Sequence, residues 1–309
     1  MFEHFFSHDT PELLAAIQRA VNKVDPLLRQ DGSYPDAYHL PVMTALRYAR
    51  TLAYSVPGPV AIDHDAYATD AYVHAIFPSM ESFSETISSS VPMQDYLRDH
   101  EGNNEVYALM GMRLCEKKMP GMELSGEVLQ QNIEQQMLYF IHHTLENPAA
   151  TEQETRDQLA WRFFDSLVDK VAKRVVLRKQ EWQARRQQIA SLMDTMRVAD
   201  DRTRPALEEE LAAMLSDAPP PSMALGHYVE DFAAVLLNPE QYLRLTPRSI
   251  NLDNMGIKRD NGDTGKMLIF DELIGFDHRD WTVNIVQCRD IQNIPFTARL
   301  ETAYRMLCI

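Results

Sequence analysis

The chain has 309 residues, a formal net charge of −15 and a pI near 5.1, a length that fits two ordinary domains or one large elaborated domain. An apolar content of 45% and a charged content of 24% are typical of a folded protein with a sizeable core. The acidic balance argues against nucleic-acid or anionic-membrane binding by the surface as a whole, because a negative field repels phosphate and leaves only a local patch for that role.

Cysteine usage and the N-terminus predict a cytoplasmic protein. Cys115, Cys288 and Cys308 are widely spaced and form no CxxC pair, which fits a reducing compartment and predicts neither a disulfide framework nor a zinc knuckle. The opening MFEHFFSHDTPELL carries Glu3 where a secretory signal has Lys or Arg. No window approaches 18 uninterrupted apolar residues, so we expect no membrane span.

Residues 1–104 predict a helical region made of short helices. In DTPELLAAIQRAVNKV, Thr10 is a candidate N-cap, Pro11 stands at the first helical position, and the apolar residues recur at helical spacing. A second helix is predicted over YHLPVMTALRYARTLAYSV, and the PGP at 57–59 stops it because two prolines around a glycine cannot continue a helix. DAYATDAYVHAIF and SMESFSETISSS indicate two shorter helices.

Residues 105–147 change to partial period-two alternation, which predicts an antiparallel β meander. Its strands are VYALMGMRLCEKK, GMELSGEVL and QQMLYFIHHTL, and Pro120-Gly121 predicts a turn between the first two. A helix stays open as the alternative for EVLQQNIEQQMLYFIHH, because its apolar residues fit neither period.

Residues 148–217 predict a long helix and a return helix that form a coiled-coil-like arm. Thr151 and Glu154 are spaced as a capping box, and from Phe164 an alternation of four and three residues continues as a heptad pattern to Met196. A helix from about 152 to 198 would be roughly 70 Å long. Its first half is apolar over much of its circumference and belongs to a core, whereas after residue 178 a narrow apolar stripe indicates a projecting arm.

The return helix, PALEEELAAMLSDA, is predicted to fold back on the long helix from a turn near residue 201. At roughly 18 Å it reaches back only to about residue 187. Its glutamates, at 208–210, would lie near residues 192–194 and cannot neutralise the basic residues at 170–179.

The C-terminal part is predicted to be a mostly β subdomain. Residues 218–225 are a stiff Pro-rich linker, since consecutive prolines favour polyproline II. Residues 226–309 predict an α+β subdomain with a helix, period-two strands, hairpin turns at 260–265 and 277–280, and a final helix over TARLETAYRML. The whole chain is therefore predicted to be an α+β protein, and whether its two β segments form one sheet stays open.

The stretch KVAKRVVLRKQEWQARRQQ, residues 170–188, concentrates positive charge in this acidic chain. Seven basic residues from 170 to 186 are opposed there by Glu181 alone. In a heptad frame with Val168 at position a, Arg178 falls at d, so a parallel homodimer would place Arg178 against its own copy, where like charges repel. An acidic partner fits better, and three are open: a glutamate-rich helix elsewhere in this chain, an antiparallel second protomer, or another protein.

These patterns predict a non-enzymatic cytoplasmic adaptor or assembly protein that binds an acidic protein surface through the arm. Its partner is another protein or a second copy of the chain. Nucleic acid or another polyanion bound by residues 170–186 is an alternative, although the acidic surface opposes it and there is no aromatic platform beyond Trp182. The predicted partner-binding residues are Arg174, Arg178, Lys179, Trp182, Arg185 and Arg186.

A second alternative is a metal-dependent phosphohydrolase of HD-like type. His39, followed by the adjacent His64 and Asp65, has the residue order of such sites, where imidazole and carboxylate ligands hold a metal that activates water. The pair follows VPGPVAI at a predicted helix start, where Asp63 or Asp65 also serves as an N-cap. We expect no cofactor, because NGDTGK lacks the spacing of a phosphate-binding loop.

Overall fold

The computed structural model describes residues 11–100, 102, 105–125, 128–200, 202–216, 221–253, 256–259, 265–275 and 280–289. Over these ranges the chain is an α+β protein with a helical N-terminal region, antiparallel strands, a long helix with a helical-hairpin arm and a mostly β C-terminal part, which confirms the predicted fold class. The chain forms two compact units, each assembled from separate stretches of sequence: Met1–Ala49 with Trp161–Tyr242, and Arg50–Ala160 with Leu243–Ile309.

The helices in the described ranges follow the predicted order with two differences, because DAYATDAYVHAIF forms two helices and Val91–Asp99 is an additional helix. The helix predicted to begin at Pro11 does so, and the second helix ends just before the PGP, as predicted. The predicted final helix lies outside the described residues. The helices are α1 (Pro11–Val24), α2 (Asp36–Ser55), α3 (His64–Thr69), α4 (Ala71–Ile76), α5 (Met80–Ser89), α6 (Val91–Asp99), α7 (Glu152–Val198), α8 (Arg204–Ser216) and α9 (Pro221–Leu236).

The first unit is helical and has its own core. α1 buries apolar residues at helical spacing, including Leu13, Ile17 and Val21. α7 contributes buried Phe164 and Val171 from its heptad pattern. Burying such a side chain stabilises the folded state by about 1.5–3 kcal/mol relative to leaving it exposed. The first half of α7 therefore belongs to a core, as the sequence predicted, and α1 shares that core.

The second unit is built on one sheet, so the two predicted β segments join. The strand order is β3-β2-β6-β5-β4, with antiparallel neighbours, and the short β1 pairs in parallel with β6. Ile257 makes an isolated bridge to Met137 of β3, and Lys258 makes one to Leu252 of β4. The strands are β1 (Val60–Ile62), β2 (Glu105–Ser125), β3 (Val128–Ala149), β4 (Leu243–Leu252), β5 (Lys266–Gly275) and β6 (Asp280–Arg289).

The turn predicted at Pro120-Gly121 is wrong. Both residues lie inside β2, opposite Glu134 and Ile133 of β3, so the first β segment has two long strands rather than three short ones. β6 pairs with residues 105–112 of β2, and beyond that stretch the described ladder of β2 runs to β3 alone. An edge tolerates a residue without an N–H donor, and a register shift beside Gly121 absorbs the irregularity.

Short helices cover one face of the sheet. Val106, Met110 and Cys288 on the strands share a buried apolar cluster with Phe77 and Met93 of the helical segments. The alternating side chains of a strand point to opposite faces, so this cluster explains the period-two pattern in β2.

Arg156 in the first turns of α7 closes the C-terminal end of α2. Its guanidinium donates to the carbonyl oxygens of Ala53 and Val56 at 2.9 Å each, of Tyr54 at 3.2 Å and of Gly58 at 3.4 Å. The last carbonyls of a helix have no partner within the helix, and here one buried side chain satisfies several of them.

Candidate protein-interaction site

The basic stretch of α7 is matched by acidic residues of the same unit. Arg178 donates from Nε and Nη2 to the two carboxylate oxygens of Asp231 on α9, at 2.6 and 2.8 Å. Arg174, one turn earlier on α7, lies 3.1 Å from the same carboxylate. The hydrogen bond to Asp231 raises the pKa of Arg178. The Asp231 side chain is only 3% exposed. The carboxylate is therefore buried together with its arginine partners and is not accessible to another molecule.

Lys179 meets a second internal carboxylate. Its Nζ contacts the buried Asp25, which follows α1 and also accepts the backbone N–H of Leu27 at 2.9 Å. The same ammonium lies 5.4 Å from the centre of the Tyr228 ring on α9. Asp25 therefore caps the turn that follows α1 and neutralises a basic residue of α7.

Aromatic rings continue the contact between α7 and α9. Trp182 stacks on Tyr228 with ring centroids 5.5 Å apart and meets His227 edge-on at 5.9 Å. Lys170 lies 5.8 Å from the centre of the Tyr242 ring. These contacts place α9 antiparallel to α7, because Tyr228 meets Trp182 whereas Asp231 meets the earlier Arg178.

The acidic surface that faces the basic stretch thus belongs, in large part, to this chain. Asp25 and Asp231 are the residues that the sequence analysis missed. Asp231 carried a usable signal, because it shares a helical face with the apolar Tyr228, Phe232 and Val235. A carboxylate on an apolar helix face indicates a buried ion pair, since an unpaired charge there is costly.

The second half of α7, together with α8, is less buried than this paired stretch. We define the arm as residues 181–216. Of the described residues from 181 to 215, none is buried. Arg185 is half-buried and Arg186 is exposed. The arm therefore has no core of its own.

Two stripes of the arm are half-buried, one on each helix. Their spacing of three and four residues is that of a heptad seam. The stripes are Ile189, Leu192 and Met196 on α7, and Leu207, Leu211 and Met214 on α8.

Large apolar side chains of the arm also face solvent. Met193 is 43% exposed, Leu215 is 48% exposed and Val198 is 86% exposed. Single exposed apolar residues are common, but several on a slender hairpin form an accessible contact surface.

The three residues of the alternative metal site lie on two different helices. His39 lies in α2 of the helical unit, 3.9 Å from Asp36, whereas His64 and Asp65 are exposed at the start of α3 in the sheet unit. Within the described ranges, no group of three or more His, Cys, Asp or Glu side chains could hold a metal ion. Asp63 is the N-cap of α3 and accepts the Ala66 N–H at 2.7 Å, as the capping interpretation predicted.

Comparison of the chain with known proteins identifies no relative. No family model, no curated protein and no solved structure matches the chain. None of the helices in the described ranges combines the length and apolar content that a membrane crossing requires. The interpretation of the arm therefore rests on its own contacts, burial and charge.

Proposed function

We propose that the protein is a non-enzymatic cytoplasmic adaptor or assembly protein whose contact surface is the arm. The observation that supports this proposal is the exposure of Met193, Val198 and Leu215 on a helical hairpin that has no buried residue in its described part. A helix packed in a monomer normally buries one apolar face. A hairpin that leaves its apolar residues half-buried or exposed is stabilised when a partner covers them.

The proposed contact surface keeps Arg186 from the residues singled out in the sequence and leaves out the three basic residues that precede the arm. Arg174, Arg178 and Lys179 form ion pairs with Asp231 and Asp25, so they are occupied within the chain. Arg186 is exposed and forms no ion pair within the described residues. We infer that the partner presents apolar side chains to the arm and a carboxylate to Arg186.

The cytoplasm suits such an arm and the free thiols of Cys115 and Cys288. Cys115 and Cys288 are not in disulfides, as expected where glutathione keeps thiols reduced. Arg and Met, which the arm exposes at Arg186 and Met193, are enriched at interfaces between proteins.

Site-specific photo-crosslinking tests the proposal. A photoreactive amino acid replaces Met193 or Leu215 in the full chain, which is expressed in cells that make the protein. We expect a discrete covalent adduct from each arm position, identified by mass spectrometry. The matched control replaces Glu85, which is exposed on α5 of the other unit, and yields no adduct. If both arm positions give only uncrosslinked chain, the arm is not a contact surface.

A further inference from the structure

Met193 and Leu215, two exposed apolar residues of the arm, lie on the same side of the seam between α7 and α8. If Ile189 is placed at heptad position a, Arg186 and Met193 both take position e of α7. With Leu207 at position d, Glu208 and Leu215 take position e of α8. In an antiparallel helix pair the e positions of both helices flank the same side of the seam. All four side chains are exposed, as that placement requires.

The opposite side of the seam has a different composition. Position g is filled by Gln188 and Thr195 on α7 and by Glu210 on α8. None of these residues is apolar. The apolar residues that flank the seam therefore lie on the e side, which makes that side the better contact face.

The heptad frame places the four e residues at the corners of a square. Arg186 is twelve residues before the end of α7 and Leu215 is eleven residues into α8, so they lie nearly level. Met193 is five residues before the same end and Glu208 is four residues into α8. Paired helices lie about 8–10 Å apart, and seven residues rise about 10 Å. One diagonal joins Arg186 to Glu208, and the other joins Met193 to Leu215.

The two charges cannot pair within one arm. They are offset by about eight residues, or roughly 12 Å along the helices, on neighbouring helices. No ion pair joins Arg186 or Glu208 to another residue within the described ranges. Each charge is therefore available to a complementary surface.

We propose that this face binds a second copy of the chain around a two-fold axis that runs along the Met193–Leu215 diagonal. This inference names a partner for the arm and rests on the proposed function. A rotation of 180° about that diagonal exchanges the other two corners. Arg186 of each copy then meets Glu208 of the other, while Met193 meets Met193 and Leu215 meets Leu215.

Charge complementarity selects a second copy in this orientation. A two-fold interface uses the same patch twice, so each basic corner must meet an acidic corner of the same patch. The Arg186–Glu208 diagonal satisfies that condition, whereas the parallel alignment considered for Arg178 does not. The arm face is about 25 Å long and about 20 Å wide, so the dimer buries about 1,000 Å² in total, at the lower limit for specific interfaces. A weak, reversible dimer is expected.

Sedimentation velocity over a concentration series tests the dimer with the full chain. The wild type is expected to pass from monomer to dimer as concentration rises. R186E and E208R each turn two attractive contacts into repulsive ones and should weaken association by about tenfold. The double variant R186E/E208R restores opposite charges at both contacts and should recover association. An equal mixture of the two single variants should recover it as well.

Glu209 supplies the matched control. It is exposed in the same acidic run but lies at position f, away from the seam, so E209R should associate like the wild type. Circular dichroism checks that every variant keeps its helix content. The proposal is overturned if the wild type stays monomeric, if R186E dimerises as tightly as the wild type, or if the double variant is as weak as the single variants.

Failure of this inference is distinct from failure of the proposed function. A crosslinked adduct of twice the mass of the chain supports the dimer. An adduct of Met193 with a different protein, together with a monomeric wild type, overturns the dimer and leaves the arm as a contact surface. The absence of any adduct overturns the proposed function itself.

Discussion

Asp231 of α9 accepts both donors of Arg178 on α7, at 2.6 and 2.8 Å, with a side chain that is only 3% exposed. Arg174 adds a second guanidinium at 3.1 Å. Two cations offset the desolvation of one buried carboxylate, and their forked geometry fixes the position of α9 along α7. From the sequence alone, these basic residues look like a docking surface. In the structure their pairing with Asp231 makes them part of the internal packing of the helical unit.

We expect Asp231→Asn to lower the free energy of unfolding by about 3 kcal/mol, because breaking a buried pair leaves the guanidinium groups without their counter-charge. Urea denaturation followed by far-UV circular dichroism measures the change. The control is Glu230→Gln, one residue earlier and exposed at its contact with His227, which should change the free energy by less than about 0.5 kcal/mol. Equal denaturation midpoints for the two variants would contradict the assignment.

Asp25 and Lys179 are expected to be energetically coupled. Asp25→Ala removes both the cap on Leu27 and the ion pair, at a cost of about 2 kcal/mol. Adding Lys179→Met to that variant should cost little more, because the partner carboxylate is already absent. A double-mutant cycle measures the coupling, for which we expect about 1 kcal/mol. Strictly additive effects would show that the contact carries no energy.

Arg156→Lys should loosen the C-terminal end of α2. One ammonium cannot reach the several carbonyls that the guanidinium joins, so buried acceptors lose their donors at a cost of about 2–3 kcal/mol. Hydrogen exchange is expected to accelerate over residues 50–58. Arg98→Lys, in an exposed pair with Asp95, serves as the control and should leave that exchange unchanged. Unaltered exchange in Arg156→Lys would exclude the closing role.

We expect the protein to lose stability at mildly acidic pH because of His143. Burial lowers its pKa, aided by the neighbouring His142 and opposed by the hydrogen bond that its ring donates to the Ile76 carbonyl at 3.0 Å. The native state binds this proton less readily than the unfolded chain. Stability should therefore fall as pH drops below about 6.5, the ordinary histidine pKa.

Unfolding free energies measured between pH 7 and pH 5 test this sign. His143→Gln should reduce the slope, since it removes the titrating ring. His142→Asn should keep most of the slope, because burial is the main cause of the lowered His143 pKa. His142 is exposed, and its φ of +55° is tolerated by Asn. A slope that is identical in the wild type and His143→Gln would refute the prediction.

Local patterns predicted most of the helices, although not α6. The capping box at Thr151 and the heptad spacing placed α7 at about 152–198, and the observed bounds are Glu152–Val198. Both signals act over a few residues, so the sequence expresses them directly. Pro120 misled the prediction because a proline at an unpaired strand edge has the same local appearance as a proline in a turn.

The sequence did not predict which distant strands pair or which distant charges form ion pairs. β6 inserts between β2 and β5, and its partners in β2 lie at least 170 residues away in the chain. Asp231 similarly meets Arg178 across 53 positions. The sequence identified the charged stretch and the need for an acidic partner, but which carboxylate meets which guanidinium depends on how α9 packs. The arm was predicted because its stripe of apolar residues is continuous along one helix.

The contact between Arg156 and the end of α2 also sets an order of events during synthesis. The carbonyl of Val56 and the guanidinium of Arg156 are separated by 100 positions in the chain. A ribosome adds about 5–20 residues per second, so the end of α2 waits several seconds or more for the side chain that closes it. Until then the carbonyl groups at the end of α2 accept hydrogen bonds from water alone. The N-terminal segment therefore leaves the ribosome before the protein donor for that helix end has been made.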